Sequence, residues 1–477
     1  MDTITLGFIF YLIIILYIGL YASKQTKNLK DFALGGHKLG PTVIAFSERA
    51  SGESAWLLLG LPGAALILGL LEIWTVLGCL SGIFLSWLVI AYPLRKSVEK
   101  NKILTLPDFF ENKINDKSGM IRVLSSLIII FFFTFYVAAQ FSGAGKVLNA
   151  TFGLTHFQGM IIGSLIIIFY TLLGGFLAVA WTDVIQGIIM IGTLVILPIV
   201  GWFELVESGS QLNLDWSKLY GNKTGFAAVS AAIGGLSWGL GYIGQPHLIA
   251  RYMAINKTKN IKISRRIAFI WAVPAFFGAL LIGLIGLGLI DNGLLKFNGN
   301  ILTSINSLDD PEKLMPIMAK NLLPAWLAGI FISGAIAAMM STADSQLLVS
   351  TTILTKKMNE KIIHKPNTDK NQLMVGRLLI LLIGIIAFKL ALDSKELVFG
   401  MVSFAWGGLG AAFGPALVLS LWWKNISRLG VIFGMIFGTL FTIWPIAPDV
   451  ITPRLTAFII STIAVIGFSY FENSLDN

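Results

Sequence analysis

In AAMMSTADSQLLVS, residues 337–350, Ala338, Ser341 and Thr342 recur at i, i+3 and i+4 and therefore share one helix face. Asp344 and Ser345 extend that patch by a turn. Oxygens clustered among small side chains suit a hard cation, because such an ion takes oxygen ligands and small side chains let a partner backbone approach. The same hydroxyls can also bond back to their own helix. A second ionisable group, Asp183 in WTDVIQG, lies in another apolar run, where a charge is costly and either lines a cavity or pairs. A third set lies in SERASGESAWLLLGLPGA, residues 47–64: Glu48, Arg49 and Glu53. Arg49 and Glu53 are four apart, so they stack on one face and can neutralise each other. This is the chemistry of ion binding. The sequence has no nucleophile–base pair, no paired His/Glu zinc motif among its 4 histidines and no Walker A loop, which argues against an enzyme and against drive by ATP.

The elements that must position these groups are membrane spans. Of 477 residues, 56% are hydrophobic and 13% charged, too little charge to cover a soluble domain of this length. Apolar runs of about 20 residues recur along the chain, each able to cross a bilayer core of roughly 30 Å. Hydropathy predicts an all-α polytopic protein of about thirteen spans, with the second at 41–70, the third at 73–98, the sixth at 178–205, the seventh at 226–247 and the ninth at 323–355. Lys and Arg concentrate in alternate connections: 25 of 35 fall in 24–40, 95–122, 251–266, 356–377 and 424–428. Positive-inside reasoning then puts the N-terminus outside and the C-terminus in the cytoplasm. The net charge of +10 is thus a matter of topology and calls for no nucleic-acid partner. The acidic start, MDTITLGFIF, reads as a retained span rather than a cleaved signal, and Cys79, the single cysteine, as a packing residue. The segments 206–225 and 292–322 are predicted as short surface helices outside the membrane.

Two spans are interrupted. The second carries Gly52, Gly60 and LPG at 61–63, and the seventh reads AAIGGLSWGLGYIGQPH. Glycine weakens a helix by about 1 kcal/mol relative to alanine and proline removes a backbone bond. Backbone left unpaired at membrane depth persists only where protein or a water-filled cavity satisfies it. Two such spans five helices apart point to a solute site between inverted repeats, 41–205 and 226–422, with one extra span at 5–23 and two at 427–471. Close helix packing is the simpler use of these glycines.

Four runs in order, ASGESAWLLLGLPGA, GGFLAVAWTDVIQG, WGLGYIGQPHLIARYMA and AAMMSTADSQLLVS, resemble the bacterial sodium/proline symporters of the sodium:solute symporter family. The resemblance implies a LeuT-type fold. It implies a sodium site formed by the carbonyls of Ala50 and Glu53 with Ala338, Ser341 and Thr342, and a candidate second sodium site at Asp183, Ser341, Asp344 and Ser345. Trp238, Tyr242 and Pro246 match positions that line the family's solute site, and Tyr136 matches a further aromatic. Such walls suit a small amphipathic solute. The chain departs from that pattern in the second span. Gly52 stands where the family has aspartate, and Glu48 and Arg49 replace small residues. Glu53 would then partly replace the aspartate, with Arg49 as its counter-charge or as a ligand for a solute carboxylate.

The function this implies is sodium-coupled symport of proline or a similar amino acid across a bacterial plasma membrane, with sodium as coupling ion and no organic cofactor. Another carboxylate, a sugar or sialic acid are the alternative solutes. A channel would need a continuous polar pore, and the tail FENSLDN is too short for a sensor's signalling domain. A monomer suffices for this reading, which leaves the oligomeric state open.

Overall fold

The computed structural model describes residues 3–24, 29–101, 103–173, 175–212, 214–361, 369–446 and 452–475. Among them, nine helical stretches are long and apolar enough to cross a bilayer, or ten when Gly225–Tyr242 and Pro246–Ala254, bent by 45°, count as one span. The stretch Pro41–Lys100 runs for 60 residues and contains both the second and the third predicted spans. His156–Leu172 and Arg428–Ile443 are shorter apolar helices. Phe10, Tyr17, Ile270 and Ile385 are exposed on the outer surface, as expected where the solvent is lipid.

The helix Ala325–Lys361 is the hub, packing against Thr3–Ser23, Pro41–Ala55, Met120–Phe152 and Phe176–Glu207. Small residues make such contact possible, and the glycines of the seventh span use it fully. A Cβ at Gly239 would overlap the carbonyl of Gly78, and one at Gly82 would overlap the carbonyl of Gly239. Gly241 lies against the indole of Trp406, and Gly244 against the backbone of Leu409 and Gly410. Close packing and helix interruption therefore coexist in this span.

The segment 292–322 differs from expectation. It holds a two-stranded hairpin, Lys296–Phe297 with Asn300–Ile301, and its helix Leu314–Leu322 is buried along Leu314–Ala319 rather than lying on the surface. Just before that helix, Glu312 accepts from the backbone N–H of Val398 at 2.9 Å and of Phe399 at 2.8 Å, and from Lys146 Nζ at 2.6 Å. One carboxylate thus caps the helix Val398–Trp422 and ties it to Met120–Phe152. In 206–225, the only regular structure before Gly225 and beyond the helix end at Glu207 is the single 3-10 turn Trp216–Tyr220, among the described residues.

Candidate functional site

The break in the second span falls at Ser54, whose φ of 38° and ψ of −167° lie in a region that L-residues rarely adopt. The glycines do not mark it. A π turn, Trp56–Gly60, follows and admits Pro62 into the first turn of Leu61–Leu68, where its missing N–H leaves no gap. The freed backbone is satisfied by protein. Ala55 N–H donates to Gln140 Oε1 at 3.1 Å and Trp56 N–H to Ser54 Oγ at 3.3 Å. Ser54 Oγ lies 3.4 Å from the Tyr136 hydroxyl. In the seventh span the helix stops at Tyr242 and restarts at Pro246, and Gln245 fills the gap by donating to the carbonyls of Gly241 at 3.2 Å and Trp406 at 3.0 Å.

At 100° per residue, Ser47, Ala50, Ser51 and Ser54 share one face of Pro41–Ala55, and Arg49 and Glu53 lie on the opposite face. The first face meets the hub helix. Ser341 Oγ donates to the carbonyl of Ala50 at 2.8 Å and lies 3.0 Å from that of Ala338, while Thr342 Oγ1 donates to the carbonyl of Ser51 at 2.9 Å. Four of the five predicted sodium ligands therefore converge. The carbonyl of Glu53 accepts the N–H of Trp56 just past the break, which leaves it a second lone pair. The Glu53 side chain points away from this oxygen cluster, so the idea that it replaces the family's aspartate near the ion finds no support in the geometry.

The residues of the candidate second site are brought together around a group the sequence reading placed in a basic connection. Arg251 is fully buried. Its Nη2 lies 3.3 Å from Asp183 Oδ2, 2.8 Å from Ser51 Oγ and 2.5 Å from Ser345 Oγ, and its Nε donates to Ser47 Oγ at 3.1 Å. Ser47 donates to Asp183 Oδ2 at 2.6 Å, and Ser345 bonds the carbonyl of Ser341 at 2.7 Å and Asp344 Oδ1 at 3.3 Å. Asp183 Oδ1 and Asp344 Oδ2 are buried with no hydrogen-bond partner. With both carboxylates ionised, two carboxylates and one guanidinium would leave this cluster one negative charge in excess.

On the opposite face, Arg49 bonds both neighbouring carboxylates. Its Nε donates to Glu48 Oε2 at 2.6 Å, its Nη2 to Glu48 Oε1, and its Nη1 to Glu53 Oε1 at 2.6 Å. The Arg49–Glu53 pair expected from spacing is present, but Glu48 is the two-pronged partner. The Tyr242 hydroxyl donates to Glu53 Oε2 at 3.0 Å.

The predicted solute-lining aromatics meet at the two breaks and acquire partners that the sequence did not suggest. Trp238 stacks on Trp56 at 4.9 Å and packs against Phe399 at 4.8 Å. Tyr242 is edge-on to Trp406 at 4.6 Å, and Tyr136 is edge-on to the same indole at 6.3 Å. Arg454 lies over the Trp238 ring at 4.5 Å. Tyr136, Trp238, Tyr242, Pro246 and Arg49 are all buried.

A family model described as "Sodium:solute symporter family" matches residues 32–438. Among curated proteins, the high-affinity proline transporter PutP of Bacillus subtilis is 38% identical over 430 residues, covering 89% of this chain and 88% of that protein. The sodium/proline symporter of Escherichia coli is 37% identical over 443 residues, covering 91% and 86%. Among solved structures, a substrate-bound outward-open Na+-coupled sialic acid symporter aligns with a TM-score of 0.78 at 18% identity, covering 99% of this chain and 98% of that one. A nucleobase-cation-symport-1 family transporter aligns with a TM-score of 0.53 at 11% identity, covering 93% of each chain. These likenesses agree with an all-helical membrane protein built around two broken helices, and the chain belongs to the sodium:solute symporter family, whose members are transporters and not enzymes.

Proposed function

We propose that this chain imports proline, or a close relative of it, together with sodium across a bacterial plasma membrane by alternating access. The observation that carries the reading is the meeting of two broken spans in one buried site, with an oxygen cluster for the ion on one face of the second span and an aromatic enclosure at its end. Sodium would take the carbonyls of Ala50 and Ala338 and the hydroxyls of Ser341 and Thr342, replacing hydroxyl-to-carbonyl bonds by ion contacts and so tightening the hub helix on the second span. Glu53 would add its carbonyl through the lone pair that the Trp56 N–H leaves open. The aromatics Tyr136, Trp238 and Tyr242 would enclose the solute, and Pro246 opens the half-helix beneath it. Of the two roles Arg49 had from its sequence position, its bonds to Glu48 and Glu53 favour that of counter-charge.

The finer architecture belongs to the same proposal: thirteen spans, repeats at 41–205 and 226–422, one span before them and two after, N-terminus outside and C-terminus inside. Read as two spans, the Pro41–Lys100 stretch would, with the two shorter apolar helices, bring the count from ten to thirteen. A second sodium at Asp183, Ser341, Asp344 and Ser345 requires Arg251 to withdraw from Asp183.

One sodium moved down about 100 mV and a tenfold gradient releases about 2.3 plus 1.4 kcal/mol, enough to concentrate a neutral solute on the order of several hundredfold. Radiolabelled proline uptake into proteoliposomes, with a panel of competing amino acids, carboxylates, sugars and sialic acid, tests the reading. Sodium-driven accumulation is expected. Uptake that is unchanged when choline replaces sodium at fixed potential refutes coupling, and competition by a sugar or by sialic acid but not by proline reassigns the solute.

A further inference from the structure

The charges of the second span are unequal in what they leave open. Glu48 is saturated: Oε1 accepts from Arg49 and from the Tyr252 hydroxyl at 3.1 Å, and Oε2 accepts from Arg49 Nε at 2.6 Å and Trp87 Nε1 at 3.2 Å. That two-pronged contact neutralises Arg49 without help. Glu53 accepts a single bond on each oxygen, from Arg49 Nη1 at 2.6 Å and from Tyr242 at 3.0 Å, so each oxygen keeps a lone pair. With all three groups ionised, the surplus negative charge rests on Glu53.

Its position gives that charge a use. Glu53 immediately precedes the Ser54 break, and Tyr242 is the last residue before the bend in the seventh span. The carboxylate therefore stands where both spans are interrupted, bonded to Tyr242, whose ring is edge-on to Trp406, and three residues before Trp56. A metal ion needs a shell of several oxygens. Glu53 is bonded by one guanidinium and one phenol, too few oxygens for such a shell, and its open lone pairs suit the N–H groups of an alkylammonium. The oxygen shell suited to sodium lies on the other face of the helix.

We propose that Glu53 receives the ammonium group of the solute, with Tyr242 and Arg49 holding the carboxylate in place, so that the site selects amine-bearing solutes. This rests on the solute lying at the two breaks, as in the symport reading above. A cyclic secondary ammonium offers two N–H donors, one for each carboxylate oxygen.

The test compares wild type, Glu53→Gln and Glu53→Asp in proteoliposomes, with two competitors of proline uptake. Pyrrolidine, an ammonium without a carboxylate, is expected to compete. Tetrahydrofuran-2-carboxylate, which lacks the ammonium, is expected to fail at the same concentration. Glu53→Gln is expected to raise the proline half-saturation by about tenfold or more, to abolish competition by pyrrolidine and to leave the sodium half-saturation unchanged, while Glu53→Asp recovers part of the loss. A shift in sodium half-saturation alone makes Glu53 an ion ligand and overturns the proposal. So does a fall in maximal rate with proline half-saturation and pyrrolidine competition unchanged. If wild type shows no sodium-driven proline uptake, the symport reading falls by itself. The ammonium site is then decided by whether pyrrolidine raises the unfolding temperature of purified wild type and not of Glu53→Gln; no rise in wild type overturns it.

Discussion

Replacing Arg49 by methionine removes the one cation that serves two buried carboxylates. Breaking a buried ion pair by deleting one partner costs about 3–5 kcal/mol, and here Glu48 and Glu53 are stranded together, which places the loss at the upper end. Against a total stability of about 5–15 kcal/mol for an ordinary domain, little Arg49→Met protein should survive extraction. The geometry says which second change restores it. Glu48 loses two of its four donors when Arg49 goes, and Glu53 loses one of its two. Each oxygen of Glu48 nevertheless keeps one donor, Tyr252 or Trp87, whereas Glu53 Oε1 is left with none, so Arg49→Met with Glu53→Gln should recover more than Glu48→Gln with Arg49→Met, the doubles differing by about 1–3 kcal/mol, the cost of one further unsatisfied buried acceptor. Expression and thermal unfolding by fluorescence-detected size exclusion, measured on all four proteins, give the comparison. Equal stability of the two doubles, or a single Arg49→Met variant that unfolds at the wild-type temperature, refutes this account of the donors that each carboxylate keeps.

Ser341→Ala and Thr342→Ala each remove one hydroxyl that bonds a second-span carbonyl, and each should raise the sodium half-saturation several-fold while costing less in maximal rate at saturating sodium; unchanged sodium dependence in both relocates the ion site. Arg251→Gln leaves Asp183 and Asp344 without their guanidinium, so the thermal stability of the purified variant should become steeply sodium-dependent, and a sodium response identical to wild type would show that the two carboxylates do not form a cation site. Gly82→Ala forces a methyl into the backbone of Gly239, and overpacking of this kind costs about 1–3 kcal/mol, read as a lower unfolding temperature and lower yield; Gly467→Ala, where a Cβ meets nothing within 4 Å, is the control.

The parts of this molecule that follow a period could be read directly. Ser341 and Thr342 recur at helical spacing, and their contact with the second span is what such a face is for. The breaks were visible as glycine density, but their position was not, since Ser54 adopts its unusual backbone through the bonds of Ala55 to Gln140 and of Ser54 itself to Tyr136, both long-range. Arg251 was hidden by its neighbourhood: next to a run of lysines and arginines it counts towards topology, and only Ser47, Ser51 and Asp183 arriving from two other helices reveal a buried ligand. Glu48 was passed over as the partner of Arg49 because adjacent residues do not face each other on a helix. The guanidinium stem is long enough to fold back, and Trp87 and Tyr252 hold the acceptor in place. Trp406 and Phe399 carry no mark in the sequence, and only the packing of Tyr242 and Trp238 on them gives them a place at the breaks.

The stack of Trp56 on Trp238, 4.9 Å apart and inclined by 21°, joins the two broken spans. Any rearrangement that separates those spans at this point has to part the two rings. Closely stacked indoles exchange excitation and quench one another, and separated ones do not. The molecule thus carries its own optical gauge of gating: with the remaining tryptophans of its 13 replaced by phenylalanine, the emission of this single pair would track opening and closing without any attached dye.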